Sequence, residues 1–124
     1  MSPRQAQLLL DSFQAASHIR SFTVGRSFED NLTNVYLHSA VKRQLEIGGE
    51  ALNKARLDET IDPNAIRQLG EWIGPRNRIA HAYDRPDHQI VWDSIVEDVP
   101  ELLHDIARLL GDAPPLPGRH PGEE

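Results

Sequence analysis

Apolar residues recur along this chain with the period of an α-helix and almost nowhere with that of a strand, which restricts it to a helical fold. Ala6, Leu9, Leu10, Phe13 and Ala16 form one stripe. Ser2-Pro3-Arg4-Gln5 has the form of a capping box, so a first helix is expected from there to about Ser21. Thr23 to Arg26 reads as a loop and Ser27 as the next cap. Leu37, Val41, Leu45, Gly48, Leu52 and Ala55 repeat at 4-4-3-4-3, predicting a long helix from about Leu32 to Arg56. Two glycines inside it, Gly48 and Gly49, each cost roughly 1 kcal/mol relative to alanine. They point to the close approach of another helix; room for a dimer partner is the other reading. Asp62-Pro63 is expected to open a short helix through Trp72. Val91, Ile95, Val99, Leu102, Ile106 and Leu109 give a last stripe, bent at Pro100 and ended by Gly111. Four or five helices with short links predict an all-α antiparallel bundle. Trp72 and Trp92 are expected in its core, and Tyr36 on the long helix is expected to face the core as well.

Composition narrows the function classes. A chain of 124 residues makes one domain, here 1–111, and the segment 112–124, rich in proline and glycine, is expected to be disordered. There is no cysteine for disulfides or thiolate metal sites. No stretch resembles a signal peptide or a membrane span, so a cytoplasmic protein is expected. A net charge of −6 argues against a general nucleic-acid binder. Between Arg67 and Asp87, however, four arginines face Glu71, Asp84 and Asp87, a net +1. Any RNA contact should therefore be local and salt-sensitive.

That local excess coincides with the densest chemistry in the chain, Arg76-Asn77-Arg78-Ile79-Ala80-His81-Ala82-Tyr83. Arginine offers a planar fork of donors for phosphate. Histidine passes protons near neutral pH. Tyrosine adds a hydroxyl that can donate, accept or be modified. The set suits phosphodiester chemistry without a metal or other cofactor. Gly74 as N-cap and Pro75 at N1 predict a helix that ends near Asp84, before Pro86. On it Arg76 nearly aligns with Tyr83, while Arg76 and His81 lie roughly 140° apart around the axis. A second copy of the helix, in a symmetric dimer, would let the two act on one phosphate. The first-turn arginines also sit against the helix dipole, and such local violations gather at functional sites.

The motif resembles the signature of the HEPN superfamily, an arginine, a polar residue and a histidine four to six positions on. Tyr83, two beyond the histidine, narrows the likeness to the HepT-like toxins. Leu45-Glu46-Ile47-Gly48-Gly49-Glu50-Ala51 resembles the "leiiGEA" stretch of that group's long helix, with Gly48 departing where the group has an apolar residue. Val91-Trp92 and Asp98-Val99-Pro100-Glu101-Leu102 resemble its "vW…dlPeL" last helix, so the likeness runs from about residue 4 to 110. The resemblance implies a dimeric all-α ribonuclease toxin. Arg76 and His81 would be catalytic, with Asn77, Arg78 and Glu50 supporting them, and the product would carry a 2′,3′-cyclic phosphate. It also implies a partner, a minimal nucleotidyltransferase antitoxin that neutralises the toxin by adding AMP to Tyr83.

Plainer readings stand beside these. The motif arginines can simply pair with Glu71 and Asp84 on a surface helix, and Glu50 can be a surface residue instead of orienting Arg76. His18, His38 and His104 are scattered on separate helices and are read as satisfied or solvent-facing. His81 and His88 with Asp84 and Asp87 could take a stray divalent metal, without an i,i+4 histidine pair to support it. Two other functions are open: a non-catalytic helical module that binds a nucleotide or a protein, and a bundle with no activity.

Overall fold

Ser2 starts the first helix from outside it. Its Oγ accepts from the Gln5 N–H at 3.1 Å, while its own N–H reaches Asp58 Oδ2 at 3.4 Å instead of closing a reciprocal box. The computed structural model describes residues 1–62, 64–67, 69–73, 78–79 and 88–111. Among them are α1 (Pro3–Thr23), α2 (Phe28–Thr33), α3 (Val35–Ala55), α4 (Leu69–Trp72) and α5 (His88–Gly111), with no strand. The all-α reading holds.

Two boundaries differ from the sequence reading. α1 continues to Thr23, whose hydroxyl donates to the Ile19 carbonyl at 2.8 Å, and Gly25 then turns the chain with φ of 72°. The expected long helix is divided. Ser27 caps α2 in a capping box with Asp30, and α2 ends at Asn34, whose extended backbone starts α3. Asn34 Oδ1 accepts from the Tyr36 and Leu37 N–H groups at 3.0 and 3.1 Å. A short polar side chain that captures backbone donors favours a cap over a helix interior. Tyr36 then falls in the exposed first turn of α3 and is 85% exposed, so the expectation that it faces the core is wrong.

α1 and α3 run antiparallel. Ser2 meets Asp58, Ser12 meets Gly48 and His18 meets Gln44. Gly48 is where they come closest: a Cβ there would lie 3.2 Å from the Ala15 Cβ. The buried Ser12 hydroxyl donates to the Gly48 carbonyl at 2.8 Å. Close helix packing, not a vacancy for a partner, accounts for this glycine. α5 lies against α1 and contributes Trp92, Ile95, Val99, Leu102 and Ile106 to the core shared with Leu9, Ile19, Leu45 and Leu52. Pro100 sits within α5 on its exposed face, where water can bond the carbonyl that proline leaves without a donor.

The segment after α3 is mostly turns where a helix from residue 62 was expected. Asp62 Oδ1 accepts from the Asn64 N–H at 2.9 Å, which closes a turn. Helical backbone resumes at Leu69. No helix among the described residues is long and apolar enough to cross a membrane. Residues 112–124, expected to be disordered, lie outside the described residues.

Overpacking tests the α1–α3 contact. Gly48→Leu should lower unfolding stability by about 1–3 kcal/mol in urea denaturation, because Ala15 and the Ser12 backbone leave no space. Gly70→Ala, with nothing within 4 Å of its Cβ, should not lower it.

Candidate functional site

The chemistry-bearing motif follows α4 in sequence, and two buried apolar residues, Trp72 and Ile79, stand before and after Arg76 in the chain. Trp72, 3% exposed, ends α4. It meets Leu45, Leu52 and Leu102 around a small void where α1 and α3 touch. Ile79, within the motif, is helical and 8% exposed in the same core. Its neighbour Arg78 points outward and lies 3.8 Å from Glu71 Oε1, both side chains largely solvated. For Arg78 the surface ion pair named above is therefore what forms. Arg76, Asn77, His81 and Tyr83 lie outside the described residues, as do the expected cap at Gly74-Pro75 and the Asp84 and Asp87 pair near His88.

Glu50 is exposed on α3, with Lys54 Nζ at 3.8 Å one turn on. It lines an open groove of about 540 Å³ between α1 and α3. Two permanent cations there, Arg43 and Lys54, face three carboxylates, Asp11, Glu46 and Glu50. A groove with that balance does not attract a nucleic-acid backbone. Contact between Glu50 and Arg76 falls outside the described residues. His18, on the same groove, has its Nδ1 3.5 Å from Gln44 Oε1 and stacks on Phe22 at 6.1 Å. It is a satisfied histidine, and His104 is exposed on α5. Among the described residues no group of histidines and carboxylates could hold a metal ion.

One polar cluster was missed by sequence reasoning. Asp105, on α5, is fully buried. Its Oδ2 accepts from the Arg67 backbone N–H at 3.0 Å and from Arg67 Nε at 3.3 Å. Its Oδ1 accepts from Arg67 Nη2 at 3.2 Å and Arg108 Nη2 at 3.4 Å. Arg67 Nη1 reaches Glu101 Oε1 at 2.6 Å, and Arg108 Nη2 donates to the Ala65 carbonyl at 3.2 Å. Burial pushes the Asp105 carboxyl up, but the side-chain and backbone hydrogen bonds from Arg67, with the charges of Arg67 and Arg108, hold it below its ordinary value. The only sequence signal was a carboxylate beside the apolar stripe of Leu102, Ile106 and Leu109, with a cation three residues on.

Fold and sequence together define the class: an all-α bundle whose chain carries an arginine–histidine–tyrosine motif around the buried Ile79. The chain belongs to the HepT-like ribonuclease family: the profile described as Ribonuclease HepT-like matches residues 13–109. It is 33% identical to a probable ribonuclease HepT of Thermococcus cleftensis, over 82% of this chain and 91% of that protein. It is 31% identical to a protein of Methanocaldococcus jannaschii that carries an RNase name, over 86% of this chain and 97% of the other. A Caldanaerobacter subterraneus protein, also with an RNase name, is 33% identical over 69% of this chain and 76% of its own length. No solved structure matches the chain.

The two described motif residues should behave oppositely. Ile79→Ala should lower unfolding stability by about 2–5 kcal/mol, the range for truncating a buried isoleucine. Arg78→Ala should leave the urea midpoint nearly unchanged, because its ion pair is solvated on both sides.

Proposed function

We propose that this protein is a metal-independent endoribonuclease and the toxin of a toxin–antitoxin pair. The reading is carried by the ribonuclease family match across residues 13–109, a span that contains Arg76, Asn77, His81 and Tyr83. Apolar anchoring at Trp72 and Ile79 supports it, since a phosphate site built from so few cations depends on placement.

In the proposed reaction, histidine takes the proton of a ribose 2′-OH. The 2′ oxygen attacks the adjacent phosphorus, the bond to the 5′ oxygen breaks, and that oxygen takes up a proton. The products are a 2′,3′-cyclic phosphate and a 5′-hydroxyl. Arg76 stabilises the charge that builds on the phosphoryl oxygens. Asn77 hydrogen-bonds the histidine or the phosphate, and Arg78 and Glu50 support the site from its margins. A homodimer brings two motif segments to one RNA cleft, which answers the wide angle that helical spacing predicts between Arg76 and His81.

Control falls to Tyr83. A nucleotidyltransferase antitoxin joins its phenolic oxygen to the α-phosphorus of ATP, and pyrophosphate leaves. The attached phosphate occupies the Arg76 donors and fills the cleft.

Cleavage of labelled RNA in EDTA tests the reaction. The parent should cut, His81→Ala should lose activity with its helical content intact, and Arg76→Lys should lose most of it for want of a planar fork. Parental rates in His81→Ala would rule out the proton-transfer role. Activity that disappears in EDTA and returns with magnesium would rule out metal independence.

The control has its own test. With the nucleotidyltransferase and ATP, mass spectrometry should place AMP on Tyr83, and Tyr83→Phe should resist silencing. Because Tyr36 is exposed, Tyr36→Phe is the needed comparison and should remain sensitive. AMP found on Tyr36, or modified Tyr83 with cleavage unchanged, would reject the switch.

A further inference from the structure

The residues that lead from α3 to the motif contain little regular structure, so something else must set their course. Residues 64–67 are turns, and α4 is a single four-residue helix. In such a segment each buried backbone donor and acceptor needs a partner from elsewhere. Asp62 meets the Asn64 and Ala65 N–H groups, and α5 provides two further partners. The Arg67 N–H ends on Asp105 and the Ala65 carbonyl on Arg108. The Arg67 guanidinium then turns back to grip Asp105 and Glu101.

We propose that Asp105, Arg67 and Arg108 form a clasp that positions the Arg76–His81 segment, with Asp105 as a positioning residue for the reaction.

Three observations carry this. The carboxylate is wholly buried, yet its partners are on the surface: the Arg67 and Arg108 side chains remain 57% and 60% exposed. Two large solvated side chains bent onto one buried carboxylate define a direction, not only an attraction, because the guanidinium fork is planar and rigid. The clasp also grips backbone at two points, Ala65 and Arg67, so it fixes the path of the chain itself. Finally, Arg67 lies nine residues before Arg76, and between the two Leu69 and the buried Trp72 pack on the core. Clasp, Trp72 and Ile79 make three successive anchors, and the motif arginine falls between the second and third. Loosening the first leaves the turns before α4 without their tie to α5. A reacting group displaced by about 1 Å can lose roughly a hundredfold in rate.

The inference rests on the ribonuclease reading, and its test has one arm that does not. Arg67→Met and Arg108→Met, singly and together, remove the grip from the solvated side and keep the aliphatic stems, so the fold should survive. Asp105→Asn, of the same shape, removes the charge from the buried side. In amide hydrogen exchange by mass spectrometry, the double variant should exchange at least tenfold faster in peptides covering 64–79, with α1 and α3 unchanged. In RNA cleavage well below the melting temperature, kcat should fall tenfold or more with KM within threefold. Arg67→Met should have a smaller effect in the Asp105→Asn background than in the parent, since both break the same grip.

Acceleration spread evenly over all helices would make the cluster a plain stability element and overturn the proposal. So would local loosening with kcat intact. If the parent itself cuts no RNA, the ribonuclease reading fails, and the exchange arm alone decides whether the clasp holds the segment.

Discussion

The rest of the structure depends on how closely α1 and α3 approach at Gly48. With no side chain there, Ala15 and the Ser12 backbone can lie against the α3 backbone, and the Ser12 hydroxyl finds a carbonyl to bond. A buried hydroxyl without that partner would destabilise the core instead of cross-linking it. The approach sets the spacing at which Leu9 and Ile19 meet Leu45 and Leu52. It also leaves a shared face on which Trp72 and the apolar stripe of α5 close the bundle. The Ser2–Asp58 contact repeats the tie at one end of the pair.

Against that frame the chemistry-bearing segment is an attachment. The chain that leads to it follows turns, one short helix and a few buried side chains, and α5 meets the Arg67 N–H and the Ala65 carbonyl there. This arrangement separates two tasks. The three long helices supply stability through apolar burial, and of the motif Ile79 joins their core while Arg78 stays in solvent. Ile79 and Arg78 display the division within two residues, one buried and one solvated.

Electrostatics is consistent with a local mode of recognition. The chain carries −6 overall, and the large groove between α1 and α3 holds more carboxylates than permanent cations. A phosphate backbone would find little attraction across most of such a surface. The arginines that could meet it are concentrated around the motif, and Arg67 and Arg78 already have carboxylate partners. A ribonuclease built this way relies on where its few donors are held, and that gives weight to the anchors before and within the motif.

Helical period alone determined the fold class, because stripes such as Leu37, Val41, Leu45, Leu52 and Ala55 can be buried together only on a helix. Residue chemistry alone singled out the candidate segment, since Arg76, Asn77, Arg78, His81 and Tyr83 fall within eight residues. Resemblance in three separate segments pointed to the family that the comparisons then showed. Other features needed the folded chain. The break at Asn34 and the exposure of Tyr36 turned on whether one side chain would capture backbone donors. In a local pattern that competition is close, and the packing around it decides. The burial of Asp105 could not be read at all: a carboxylate beside an apolar stripe resembles any solvated helix face until Arg67, thirty-eight residues away in sequence, is folded onto it. Periodicity reports which face of a helix is apolar, but a contact between distant polar groups exists only in the tertiary structure.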